Sequence, residues 1–388
     1  MAAYREPVST PDLAALVGGM RRALDGGPPV APLPRLTAQA PPSGTALVVR
    51  TSGSTGTPRE VALTAEALRA AAAATRERLG AAGRWVLTLP PTHVAGMQVI
   101  VRSLLAGTPL TVAGPGPFRA EALAELLADP LAGDDPVHLS LVPTQLHRVV
   151  EAADGGAPAA LEALARCGAV LLGGAATPPR LLARARDAGV PVVRTYGMSE
   201  TAGGCVYDGL PLRGVRVRVD APGGHPGVVE LGGPVLATGY LGDDEAGAAA
   251  FSEGPDGRWF RTSDLGVVDD GVLRVLGRAD DVVVTGGVNV APTAVETVLG
   301  ELLGAEVCVV GVPHDEWGQE LVAVLSDAVG GDGEATELAR VRSAVAARLG
   351  PAAAPRRLLR VADLPLRGPG KVDRAAVVDL VRARSARD

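Results

Sequence analysis

Short Val- and Leu-rich runs alternate with longer Ala-, Leu- and Arg-rich runs from residue 46 to residue 195. The pattern predicts strands over 46–50, 85–89, 110–113, 138–142, 169–172 and 191–195. Helices are expected over 65–79, 96–106, 120–128, 144–153 and 178–188. Strands separated by single helices imply a largely parallel sheet covered on both faces. After Gly209 the texture changes to alternating segments at 215–219, 227–231 and 272–276, which read as antiparallel β structure. A new αβ texture starts at Ala279 and runs to the end. The expected architecture is therefore α/β. A large domain of helix-flanked sheets with a small β-barrel-like part spans 1–278, and a small α+β domain spans 279–388. No internal repeat or long linker separates them.

A length of 388 residues allows two or three domains of about 100–200 residues each. With 37 Lys+Arg against 43 Asp+Glu, the formal charge of −6 argues against nucleic acid or an anionic membrane surface as the main partner. The opening MAAYREPVSTPDL has no apolar core of a signal peptide, and no uninterrupted apolar run reaches the ~18–20 residues of a membrane span. Cys167, Cys205 and Cys308 are far apart with no CxxC, which speaks against a zinc ribbon or a disulfide framework. A cytoplasmic protein is expected. The 50 glycines and 32 prolines punctuate apolar runs and form no tract, as in an enzyme with many tight loops. Arg carries nearly all the positive charge. Lys371 is the only lysine and Asn289 the only asparagine, and both draw attention on that ground.

Five segments carry chemistry. Thr51-Ser52-Gly53-Ser54-Thr55-Gly56-Thr57-Pro58-Arg59 follows a strand, and its glycines and hydroxyls suit close approach to phosphate. It is not a Walker A loop, because no GK[ST] follows. Tyr196-Gly197-Met198-Ser199-Glu200-Thr201 puts a carboxylate after a strand, where α/β folds bind ligands and where an acid can hold Mg²⁺. Thr262-Ser263-Asp264-Leu265-Gly266 offers an acid for a ribose, and Gly277-Arg278-Ala279-Asp280-Asp281 follows it. Then come Thr285-Gly286-Gly287-Val288-Asn289 and Gly368-Pro369-Gly370-Lys371-Val372-Asp373-Arg374. A lysine on a mobile loop could neutralise charge developing in a transition state. The histidines show no metal-ligand spacing.

Together, in this order, the segments resemble the adenylate-forming superfamily of acyl-CoA ligases, adenylation domains and luciferases, from about residue 46 to residue 374. Within it, the residues from Leu89 to Ser103 and from Val193 to Gly209 are similar to those of o-succinylbenzoate–CoA ligases of menaquinone biosynthesis. The resemblance implies a carboxylic acid, ATP and CoA as substrates, Mg²⁺ as cofactor, and a mobile C-terminal domain. It implies that Thr51, Ser52, Gly53, Ser54, Thr55, Gly56 and Arg59 hold phosphates. Tyr196 stacks near adenine, Thr201 meets the α-phosphate, and Asp264 and Arg278 hold the ribose. Glu200 binds Mg²⁺, and Lys371 bridges carboxylate and α-phosphate. Asp280 is the hinge, with Gly286, Gly287, Val288 and Asn289 on the CoA side. His93, Gly173, Gly174, Gly203 and Gly204 line the acyl pocket, and either Arg102 or Arg194 meets the second carboxylate.

Where the superfamily's phosphate loop usually ends in Lys-Gly, this chain has Arg59-Glu60, and Glu60 is expected to point away along its strand. Other readings share the nucleotide residues: a ligase for another aryl or alkyl acid, a free-standing adenylation domain charging a carrier protein, or a non-catalytic adenylate-binding protein. A homodimer is left open, and neither nucleic acid nor membrane insertion is expected.

Overall fold

The computed structural model of the chain describes residues 12–51, 58–221, 225–326, 334–367 and 371–385, the side chains of 334–336, 367 and 371 excepted. In chain order, helix α1 (Leu13–Leu24) leads to β1 (Thr45–Arg50), β2 (Glu60–Thr64), α2 (Ala65–Leu79), β3 (Arg84–Leu87) and α3 (Val94–Ala106). There follow β4 (Leu110–Val112), α4 (Ala120–Ala128), β5 (Val137–Leu141), α5 (Pro143–Asp154), α6 (Ala159–Ala165), β6 (Ala169–Leu172), α7 (Pro179–Asp187) and β7 (Val192–Met198). Local chemistry sets several of these bounds. The Thr64 hydroxyl accepts the Ala67 N–H to start α2, and Gly80 ends it at a φ of 75°. The Asp12 carboxylate starts α1 by accepting from Ala14 and Ala15. Sequence periodicity missed α1, which a Gly-Gly pair interrupts, and α6, which is only about two turns long.

Strands β3 to β7 form the expected parallel sheet, in the order β4-β3-β5-β6-β7. Val86, Val170 and Leu172 face the helices α4 to α7 across it, while Trp85, Leu87 and Leu171 face α2 and α3. Successive strand residues alternate between the two cores, so both faces are dry. The sequence reading put residues 46–50 at the head of this sheet. Instead β1 pairs antiparallel with β2 and joins a separate sheet with β12 (Gly239–Leu241). Residues 51–59 are too few for a parallel crossover, which needs a dozen or more, so the two strands return as a hairpin.

Antiparallel structure also starts earlier than Gly209. Strand β8 (Gly203–Tyr207) runs back along β7, with β9 (Leu210–Pro211) beyond it. A second antiparallel sheet has the order β10 (Arg216–Asp220), β11 (Gly227–Gly232), β14 (Gly257–Asp269), β13 (Phe251–Gly254), with β15 (Val272–Arg278) also on β14. Helix α8 (Asp244–Ala250) lies between β12 and β13.

The remaining chain contains β16 (Val283–Thr285), β17 (Val288–Val290), α9 (Pro292–Leu303), β18 (Glu306–His314), β19 (Gly318–Ser326), α10 (Glu334–Leu349), β20 (Arg357–Val361), β21 (Leu366–Arg367), β22 (Lys371–Val372) and α11 (Arg374–Ser385). Val309 and Ala323 face α9 and α10, whereas Cys308, Val310, Val322 and Val324 face α11. Among the described residues, no helix is long and apolar enough to cross a membrane. All three cysteines are buried and free.

One buried group is uncomfortable. His138 is 1% exposed on β5, packed between Gly83 and Gly168 and against Trp85, and neither ring nitrogen has a hydrogen-bond partner among the described residues. Burial, helped by the nearby Arg102 cation, lowers its pKa to about 4. The folded chain therefore holds it neutral, while the unfolded chain protonates it near pH 6.5, so stability falls as pH drops from about 6.5 to about 4. Urea unfolding should show His138→Leu losing about 2 kcal/mol less than wild type between pH 7.5 and pH 5. Parallel pH dependences in the two chains would contradict this.

Candidate active site

The site is organised by a change of partner within one strand. β7 pairs parallel with β6 up to Arg194, and from Thr195 it pairs antiparallel with β8. Between them the register shifts at Tyr196–Gly197. Gly197 has no room for a side chain: a Cβ there would collide with the Gly203 carbonyl oxygen, and its φ is 156°. This bulge turns the Tyr196 phenol toward β14, where its hydroxyl donates to Asp264 Oδ2 at 2.7 Å. Burial, and then the adjacent carboxylate, push the Tyr196 pKa well above its usual value. Asp264 is the register partner of Arg278, and its Oδ1 lies 3.8 Å from Arg278 Nη1. The rest of the Arg278 fork holds Asp280, at 2.8 and 2.7 Å.

After β7 the chain makes a tight turn, Ser199–Thr201. Thr201 closes it from inside: its hydroxyl accepts from the Met198 N–H at 3.0 Å and donates to the Gly203 carbonyl at 2.8 Å. Its side chain is fully buried, so the hydroxyl expected at a phosphate is committed to the turn. Glu200, 8% exposed, accepts from the Tyr240 hydroxyl at 2.8 Å. Burial raises its pKa, while the Tyr240 bond and the Arg59 charge oppose the rise.

Arg59 completes this cluster. Its guanidinium stands 5.2 Å over the Tyr240 ring and its Nε donates to Asp243 Oδ2 at 3.0 Å. Thr51 and Arg59 also fasten the two ends of their loop. The Thr51 N–H donates to the Arg59 carbonyl at 2.9 Å, and the Thr51 hydroxyl accepts the Arg59 N–H at 3.3 Å. Ser52, Gly53, Ser54, Thr55 and Gly56 lie outside the described residues. Glu60 does not simply run out along its strand. It is 2% exposed and accepts from Arg35 Nε at 2.8 Å and from the N–H groups of Leu36 and Thr37. That commitment keeps its charge away from Arg59. Tyr240 and Asp243 were missed from sequence; the available signal was an acid at a helix start, with Asp243 capping α8 through Ala246.

The glycines expected at the acyl pocket pack around the end of β7. Gly173 and Gly204 both pack on the Thr195 side chain, and Gly203 faces Gln98 and Val94 of α3. Gly174 sits at a φ of 83° beside Val142. His93 precedes α3, with Nδ1 at 3.1 Å from the Thr92 hydroxyl. The two candidate arginines each have partners within the chain. Arg194 alternates with Thr195, so it leaves the strand on the opposite face and meets Asp208, with half of its side chain exposed. Arg102 shares a helix face with Val94 and Gln98, but its guanidinium lies 5.0 Å over the Trp85 ring, with Nη2 at 3.4 Å from the Tyr207 hydroxyl.

Two C-terminal elements carry the remaining expected site residues. β16 and β17 are joined by Gly286 (φ 56°) and Gly287 (φ 77°), a two-residue turn with both residues left-handed. Val288 follows the turn, 48% exposed, and Asn289 pairs with Val284. Lys371 pairs through its backbone with Arg367, and its side chain lies outside the described set. Three residues on, Arg374 grips both oxygens of Glu296 at 2.6 and 2.8 Å and lies 3.2 Å from Asp281, anchoring the lysine's hairpin to α9. Among the described residues, no group of three or more His, Cys, Asp or Glu side chains could hold a metal unaided.

With this geometry, comparison with known proteins is informative. Residues 8–241 match the AMP-binding enzyme family and residues 294–371 match the AMP-binding enzyme C-terminal domain. A probable 2-succinylbenzoate–CoA ligase of Mycobacterium tuberculosis is 46% identical over 339 residues, covering 86% of this chain and 84% of its own. The 2-succinylbenzoate–CoA ligase of Listeria monocytogenes serovar 1/2a is 29% identical, covering 86% and 69%. The o-succinylbenzoate CoA synthetase of Bacillus subtilis, solved with its acyl-adenylate intermediate, superposes with a TM-score of 0.71 at 26% identity, covering 86% of this chain and 69% of that one.

The Gly197 bulge makes a sharp expectation. Gly197→Ala should cost more than about 3 kcal/mol in urea unfolding, because backbone blocks the new methyl. Gly204→Ala, whose methyl would meet the Thr195 and Tyr207 side chains first, at 3.1 and 3.2 Å, should cost about 1 kcal/mol. Equal costs would show that the bulge does not constrain the strand.

Proposed function

Because the chain belongs to the AMP-binding enzyme family, we propose that it is an AMP-forming ligase joining o-succinylbenzoate to coenzyme A in menaquinone biosynthesis. The observation that carries this reading is the convergence of two phenol–carboxylate pairs, Tyr196–Asp264 and Tyr240–Glu200, at the end of β7 beside closely packed glycines. Identity of 46% with a probable ligase for this acid favours o-succinylbenzoate over other aryl or alkyl acids. ATP and coenzyme A are cytoplasmic metabolites, which supports a cytoplasmic location.

The reaction has two halves. A carboxylate oxygen of the acid attacks the α-phosphorus of ATP, and the bond to pyrophosphate breaks. The thiolate of coenzyme A then attacks the acyl carbon, and AMP departs with the electrons of the carbon–oxygen bond. In the first half, Asp264 takes the ribose hydroxyls, supported by Arg278, and Tyr196 lies against the adenine. The phosphate loop from Thr51 to Gly56, with Arg59 at its end, holds the β- and γ-phosphates. Lys371 bridges the acid and the α-phosphate, a task for a compact ammonium on a flexible stem. The Arg374–Glu296 grip supports that role, since it fixes the base of the lysine's hairpin.

Glu200 suits Mg²⁺. Mg²⁺ takes one or two carboxylates together with substrate phosphates, and a single buried carboxylate with a raised pKa gains most from a cation. When bound, the ion supplies positive charge to the phosphates. In the second half, the C-terminal domain turns about Asp280 and presents Gly286, Gly287, Val288 and Asn289 to the pantetheine arm. The left-handed glycine turn leaves backbone accessible there, and exposed Val284 and Val288 offer it apolar surface. His93 and the glycines around Thr195 enclose the aryl group.

Assays of the separated half-reactions test the division of labour. Lys371→Ala should lower o-succinylbenzoyl-adenylate formation by at least about 100-fold while leaving thioester formation from supplied adenylate within about threefold. Equal losses in both halves would overturn the role of Lys371.

A further inference from the structure

Arg59 stands at the end of the phosphate loop with its charge already engaged. One face of the guanidinium covers Tyr240 and its Nε donates to Asp243 Oδ2 at 3.0 Å. Asp243 uses its two oxygens for different purposes. Oδ2 holds Arg59, while Oδ1 accepts the Ala246 N–H at 3.1 Å and caps α8. Those two donors hold the Asp243 carboxyl below the usual carboxylate range, so it is ionised at neutral pH. The other acid facing Arg59 is Glu200, on the far side of the Tyr240 hydroxyl. Glu60, next in sequence, is held instead by Arg35 and the 36–37 backbone.

A carboxylate and a phosphate both accept from the N–H groups of a guanidinium. We propose that Asp243 competes with the β- and γ-phosphates for Arg59, and so weakens the grip on ATP and pyrophosphate while leaving the AMP moiety untouched. This rests on the reading of Arg59 as a phosphate ligand. The competition gives a ligase that must discard pyrophosphate a built-in means of releasing it: Asp243 takes Arg59 as the product leaves. The effect is small, because the pair is about one-third exposed on each side and water screens it.

The two roles of Asp243 can be separated. Asn caps a helix as Asp does, so Asp243→Asn removes the charge and keeps the cap. In calorimetric titrations of the full chain with magnesium pyrophosphate and with AMP, Asp243→Asn should bind pyrophosphate about threefold to fivefold more tightly and AMP equally well. The gain should shrink at high salt and vanish in an Arg59→Met background. Unchanged or weaker pyrophosphate binding in Asp243→Asn would overturn the competition, weaker binding meaning that Asp243 orients Arg59. The reading of Arg59 fails separately if Arg59→Met alone binds pyrophosphate like wild type. Pyrophosphate binding by neither wild type nor Asp243→Asn would overturn both.

Discussion

The structure depends on a strand that belongs to two kinds of sheet. β7 begins as the last parallel strand and ends as an antiparallel one, with Gly197 at the point of change. A side chain at that point would strike the Gly203 carbonyl, so the close approach of β7 and β8 is open only to glycine. From this follow the direction of Tyr196, the turn that carries Glu200, and the position of Gly203 opposite α3. The parallel sheet supplies rigidity through two dry faces, and the bulge lets its last strand change partners.

The second organising theme is how buried acids are kept usable. Asp264 and Glu200 each receive a hydrogen bond from a tyrosine, and Arg278 stands 3.8 Å from Asp264. A phenol satisfies one lone pair of a carboxylate without cancelling its charge. The basic groups are tied down by other acids: Arg278 by Asp280, Arg59 by Asp243 and Arg374 by Glu296. These partners lie in different segments: Asp280 follows β15, Asp243 caps α8 and Glu296 is on α9.

Much of this was legible in the sequence, for physical reasons that differ from one residue to the next. Helices α2 and α4 fall on the expected residues because alanine and leucine spacing and a Thr64 cap are local signals. Glu200 and Asp264 stood out because acids after strands are places for chemistry. What failed was non-local. Arg194 was one residue out of phase with the glycine-lined face, a matter of strand parity that a motif does not reveal. The separation of β1 from the parallel sheet depended on the length of the return loop. Tyr240 and Asp243 reach the site from a different sheet, about 40 residues beyond Glu200. Thr201 looked available because a hydroxyl in a turn does not announce that it bonds the turn itself.

The central claim is that the residues gathered around the end of β7 select o-succinylbenzoate for activation by ATP. Its most direct test is acid-dependent pyrophosphate release with Mg²⁺ and ATP, comparing kcat/KM for o-succinylbenzoate with benzoate, 4-chlorobenzoate and a fatty acid. The account requires a preference for o-succinylbenzoate of about 100-fold or more, a difference of about 2.7 kcal/mol in transition-state binding. Comparable turnover of benzoate, or release driven by another acid alone, would contradict it.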